Sequence, residues 1–187
     1  MSDASFIPDG SGLLPAATPL TRAALEIDEY VGSLGWDRPA RLFALVDSAE
    51  LRRSNPAVAR QLGLDASHDG SLTPVEQDEL PAGMALDEFL GTIAWPPGVA
   101  GCALVVERLM LPPNAERTKP AGTSGAKLND WVAHHPDRQE VRITAAVLRD
   151  GSKETALRLR EKDLPREVLT GPDLVPGLTQ ALLATFA

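Results

Sequence analysis

An α+β fold is what this sequence predicts: an antiparallel sheet of about four strands, including a hairpin in the C-terminal half, packed with helices in two layers. Three observations carry it. Two apolar runs, RLFALV at 41–46 and VAGCALVV at 99–106, have the composition of buried strands. Asp150-Gly151 separates two further strand-like segments, the mark of a hairpin. Apolar residues recur at three- and four-residue spacing near both ends of the chain, as amphipathic helices require.

The first 17 residues mix Gly, Pro and Ser without periodicity and read as a flexible arm, leaving 18–187 as one domain. Thr18 then suits an N-cap with Pro19 at the first helical position. Leu20, Ala23, Ala24, Ile27, Val31 and Leu34 follow as one apolar stripe, and Gly35 stops it. The run at 41–46 is apolar on both alternating faces, so it reads as a strand covered on both sides. Two short helices are expected over 48–63, the second begun by Asn55-Pro56 and ended by Gly63. A helix over 85–94 presents Leu86, Phe89, Leu90 and Ile93, and Trp95-Pro96-Pro97 blocks its continuation.

The next strand, 99–111, carries no charge before Glu107, which makes Cys102 a small core residue. The proline-rich stretch beyond it shows no sustained period, and 112–136 is expected to be a long mobile loop or flap. Strands at 138–149 and 152–161 follow. A two-residue turn would set Ile143 beside Arg158, mixing apolar and charged side chains on one face. A three-residue loop with Gly151 in the left-handed position pairs Ile143 with Leu157 and Val141 with Leu159 instead, and this register gives one apolar face. A helix over 174–186 closes the chain, docking through Leu178, Ala181, Leu182 and Thr185.

Composition narrows the function. A chain of 187 residues suits one domain, and folding at this size buries roughly 70% of the surface the unfolded chain exposes. Apolar residues make up 43% and charged residues 24%, the balance of a chain that folds alone. The net charge of −8 repels a phosphate backbone, so no nucleic-acid partner is expected. A lone cysteine, Cys102, permits neither an intramolecular disulfide nor a cysteine-based zinc site. No basic-then-apolar leader and no run of ~18 apolar residues occurs, so a cytoplasmic protein without a membrane span is expected.

Residues 65–76 resemble an EF-hand calcium loop, with oxygen-bearing Asp65, Ser67 and Asp69 at positions 1, 3 and 5, Gly70 at 6 and Glu76 at 12. The carbonyl of Ser71 would complete the set at position 7. The flanks are short and no second loop exists to pair with it, so the plainer reading is a turn at Asp69-Gly70 followed by a capping box from Thr73 to Glu76. Apart from calcium at this loop, no cofactor is expected. His134 and His135 would point to opposite faces of a strand and cannot readily share a metal. Gly122 to Lys127 lacks the spacing of a phosphate loop. Trp36 and Trp95 suit lids on the core.

The hairpin's other face carries Glu140, Arg142, Arg158 and Arg160. In the chosen register Arg142 lies opposite Arg158, an unfavourable like-charge pair that an anion or an acidic partner would relieve. The plainer reading is a solvated outward face on which Glu140 serves the arginines.

The stretches LTRAALEIDEYVGSLGWDRPARLFALV, LTPVEQDELP, TIAWPPGVAGCALVVERLMLPP, HHPDRQEVRITAAVLRDG and LTGPDLVPGL together resemble a family of small uncharacterised actinobacterial proteins. The resemblance spans most of residues 20–186 and implies no catalytic residue, cofactor or substrate. With no nucleophile motif or dinucleotide fingerprint in the chain, the expected function is a non-catalytic interaction or regulatory module with a protein partner. The alternatives are a small-molecule- or metal-dependent enzyme, or a weak calcium-binding protein.

Overall fold

In the computed structural model, which describes residues 17–64, 70–77 and 79–187, the first helix is α1 (Pro19–Ser33). Thr18 Oγ1 accepts the Thr21 N–H at 3.0 Å, as an N-cap does. Its stripe of Leu20, Ala23, Ala24, Ile27 and Val31 is buried, together with one charged residue, Asp28. The N-terminal arm expected over 1–17 lies, except for Ala17, outside the described residues.

Six strands form one sheet in the order β2-β1-β3-β4-β5-β6, every neighbouring pair antiparallel. They are β1 (Arg41–Asp47), β2 (Leu72–Glu76), β3 (Gly101–Met110), β4 (Gln139–Leu148), β5 (Lys153–Leu159) and β6 (Leu169–Gly171). The four strands expected are the four central ones. The additional pair, β2 and β6, are short edges. Pro74, which has no N–H to give a ladder, is tolerated in β2 because that strand pairs on one side only.

The helices are α2 (Ser48–Ser54), α3 (Pro56–Gln61), α4 (Leu86–Gly91), α5 (Pro113–Glu116), α6 (Gly125–His134) and α7 (Pro176–Ala184). Asn55 caps α3 through Oδ1, which accepts from Val58 at 3.3 Å. Two layers do not describe the packing, because the sheet is covered on both faces. α1 packs over Phe43, Leu45, Ala103, Val105 and Ala146. α4 and α7 cover the opposite side, over Leu42, Leu104, Val106, Ile143 and Val147. β1 and β3 are apolar on both faces, so each face of the sheet needs its own cover. Trp95 closes one end, stacked on Phe186 at 6.0 Å with Nε1 donating to Thr185 Oγ1 at 2.8 Å.

The stretch expected as a mobile loop, 112–136, carries α5 and α6. Pro113 occupies the first turn of α5, where its missing N–H costs nothing. In α6, Leu128, Trp131 and Val132 stand at i, i+3 and i+4 and share one recess with Leu109 and Leu111. A stripe this short is easily lost among the surrounding Gly and Pro.

The hairpin has the expected register, with Ile143 opposite Leu157 and Val141 opposite Leu159. Gly151 has φ +91°, and its N–H donates to the Leu148 carbonyl at 3.0 Å. Replacing Gly151 with Val should cost about 1–3 kcal/mol, because a β-branched side chain resists positive φ. Thermal unfolding measures this, and an unchanged midpoint would count against the assignment.

Candidate functional site

Pairing of β4 with β5 sets Arg142 directly opposite Arg158 on the face that α1 covers. This face is therefore not the solvated outward surface that its charges suggested. Arg142 is 0% exposed. Its Nη2 donates to the Gly35 carbonyl at 2.7 Å and to Glu107 Oε1 at 3.3 Å, and its guanidinium lies 4.2 Å from the Trp36 ring centroid. Arg158 donates from Nε at 2.9 Å and Nη2 at 2.5 Å to Asp28 Oδ2, and from Nη1 to Asp163 Oδ1 at 3.3 Å. Burial works against the Arg158 charge, yet the Asp28 and Asp163 carboxylates outweigh it and hold its pKa above the ordinary value.

Arg160 lies nearest to solvent of the three. Its Nη1 and Nη2 donate to the two Asp37 carboxylate oxygens at 2.8 and 2.9 Å, and Nη1 also donates to Glu140 Oε2 at 2.5 Å. These bonds hold the Arg160 pKa above, and that of Asp37 below, their ordinary values. Asp37 sits at φ +63°, a strained position for a non-glycine residue, pinned there as its own N–H donates to Glu107 Oε2 at 2.7 Å. Like-charge repulsion between Arg142 and Arg158 is thus relieved from inside, by carboxylates of α1, β3 and the turns around Asp37 and Asp163. The helix covers the face because those carboxylates neutralise what it buries. An anion or acidic partner at Arg142, Arg158 and Arg160 would have to compete with them.

Of the calcium-like set, Asp65, Ser67 and Asp69 lie outside the described residues. Thr73 and Glu76 do not form a capping box, because their segment is strand β2, whose ladder to β1 supplies the backbone hydrogen bonds a helix would have provided. Thr73 is buried instead, its hydroxyl 2.8 Å from that of Ser48. Glu76 pairs with Arg41 and accepts the Tyr30 hydroxyl at 2.9 Å. The Ser71 carbonyl accepts the Ser48 N–H at 2.9 Å. Among the described residues no three His, Cys, Asp or Glu side chains gather as a metal site. His134 ends α6 beside Asp130, and His135 packs edge-on against Trp131. Cys102 is buried, and burial pushes its thiol up to about 12, leaving no thiolate for nucleophilic chemistry.

A cleft of about 1510 Å³ opens at the hairpin tip between the start of α1 and the 97–100 turn. Its charged walls are committed to the fold. Arg149 donates to the carbonyls of Trp95, Pro96 and Val99, Lys153 pairs with Asp173, and Glu154 accepts from Thr21.

A groove of about 500 Å³ between α4, α7 and β3 is different in kind. Leu86, Leu90, Val106, Ile143, Leu178 and Ala181 give it an apolar lining, and its two charged liners, Asp87 and Arg108, are exposed. Leu109 and Met110 also line a second recess, of about 400 Å³, against Leu128, Trp131 and Val132 of α6, with the exposed Glu116 and Lys119 on its other side. The two recesses form one strip, with Leu109 42% exposed between them. Nothing local in the sequence marks this strip, because its apolar residues come from five separated elements, α4, β3, α6, β4 and α7.

The model of the family described as PPA1309-like protein matches residues 20–187. The chain belongs to the PPA1309-like protein family. The match includes all six strands and both walls of the apolar strip. No curated protein and no solved structure matches the chain. Among the described residues no helix is long and apolar enough to cross a membrane.

Proposed function

We propose that this PPA1309-like chain is a non-catalytic interaction module of the actinobacterial cytoplasm, and that it takes an apolar or amphipathic segment of a protein partner along the strip around Leu109. One observation carries the reading. The strip joins two recesses with largely apolar walls across an exposed leucine, whereas Arg142, Arg158 and Arg160 are engaged by Glu107, Asp28 and Asp37. Exposed apolar surface of this kind marks binding, and catalysis would call for ionisable groups converging on a pocket. The net charge of −8 further turns the chain away from polyanions.

Leu109→Asp tests the proposal. An exposed substitution leaves folding within about 0.5 kcal/mol, while a charge placed in the centre of an apolar interface weakens binding more than about tenfold. Affinity capture from native cytosol with wild type and variant, quantified by mass spectrometry, should recover proteins retained by the first and lost by the second. Equal retention on both would overturn the assignment of the strip. Capture of a small molecule that the protein chemically converts would overturn the module itself.

A further inference from the structure

Beside the β2 edge, α1 and the β1–β2 pair border a separate open recess of about 250 Å³, lined by Glu26, Ile27, Tyr30, Phe43, Pro74 and Glu76, of which Glu26, Tyr30 and Glu76 are exposed. Ile27 and Phe43 are buried, and the Tyr30 ring stands edge-on to Phe43 with centroids 6.3 Å apart at 89°. The polar groups here are of one sort. The Tyr30 hydroxyl is spent on Glu76 Oε2, and the neighbouring Arg41 guanidinium is spent on Glu76 and on Glu79, the latter at 3.4 Å. One donor is left over, Arg41 Nε, and it is buried beyond the reach of a ligand. Glu26 is the exception to this pairing, since among the described residues no hydrogen bond or ion pair reaches its carboxylate, and burial raises its pKa. Two carboxylates, Glu26 and Glu76, thus line the recess, and of these only Glu76 is paired with a guanidinium.

These features select the ligand. An anion would meet carboxylates, and a neutral hydrogen-bonding molecule would find acceptors without donors. A cation with an apolar shell fits both the walls and the charge, because aromatic rings and carboxylates attract it while its weak hydration is given up easily. We propose that this recess binds a methylated ammonium group, with the Glu26 carboxylate as counter-ion and Tyr30 as the aromatic contact. Free choline-like molecules and trimethylated lysine side chains both carry that group.

The test is a titration of the full chain with tetramethylammonium chloride, followed by ¹⁵N–¹H NMR against sodium chloride at equal ionic strength. Saturable shifts confined to Glu26, Tyr30, Phe43 and β2 are expected. Glu26→Gln should weaken binding at least fivefold, Tyr30→Leu should weaken it with the fold intact, and the neutral isostere 3,3-dimethyl-1-butanol should not bind. Choline and a trimethyllysine peptide, titrated next, distinguish the two sources by which of them binds more tightly. Shifts that track salt alone, equal binding of the neutral isostere, or an affinity unmoved by Glu26→Gln would each overturn the proposal.

Discussion

Asp28→Ala is expected to cost about 3–5 kcal/mol of folding free energy, the loss that follows when one partner of a buried ion pair is removed. Asp28 is fully buried in α1 and receives two hydrogen bonds from Arg158, which is itself buried. Without it, the guanidinium retains only the longer bond to Asp163, whose carboxylate is partly solvated. The stranded charge must then be hydrated, which means lifting α1 from β4 and β5, and that removes Ile27 and Val31 from the core as well. Urea unfolding should show a midpoint shift at constant m-value. Removing both charges should be milder than removing Asp28 alone, so Asp28→Leu with Arg158→Met is expected to recover most of the loss. A cost below about 1 kcal/mol for Asp28→Ala would show that water reaches Arg158 without opening the helix.

That pair also shows where the sequence was legible and where it was not. The like-charge opposition of Arg142 and Arg158 follows from the hairpin register alone, because a period of two leaves no other face for them. What relieves it could not be read, since Asp28 lies 130 positions before Arg158 in the chain and sits within an ordinary-looking helix. A buried aspartate in a helix that otherwise shows an apolar stripe was the available signal. Read as belonging to the stripe, Asp28 at one position after Ile27 and three before Val31 would have demanded a cation on the facing sheet. The sheet's two-sided covering was similarly implicit in RLFALV, whose alternate faces are both apolar. The edges were illegible for the opposite reason: LTPVE carries a strong helix-start pattern, and only its pairing with β1 turns it into a strand.

The candidate sites divide in the same way. Exclusions came from counting, because one cysteine and no repeated ligand spacing need no third dimension. The apolar strip and the Glu26 recess came only from tertiary packing. Leu86, Val106, Leu128 and Leu178 are unremarkable apolar residues singly, and become a groove because α4, α6 and α7 leave the end of β3 partly uncovered.

Gly101→Ala should be the most damaging single methyl in the protein, at about 4 kcal/mol, although Gly101 lies in a strand and has no unusual backbone angle. A Cβ at this position would fall on the carbonyl oxygen of Val147 and 2.6 Å from Leu148 Cδ2. A flexible side chain can move aside, but the Val147 carbonyl belongs to the ladder between β3 and β4 and cannot yield without separating the strands. Overpacking of this sort costs about 1–3 kcal/mol. The separation would also strain the neighbouring bonds from Ala100 to Leu45 and from Arg149 to Ala100, both 2.9 Å, at about 1 kcal/mol each. Gly177→Ala provides the control, because a methyl group there meets nothing within 4 Å and sits inside α7. That change should leave stability unaltered or raise it by up to about 1 kcal/mol through helix propensity. Calorimetry on the two variants separates the causes: a large loss at 101 with none at 177 assigns the cost to the β3–β4 contact, and equal behaviour would mean the sheet end adjusts freely.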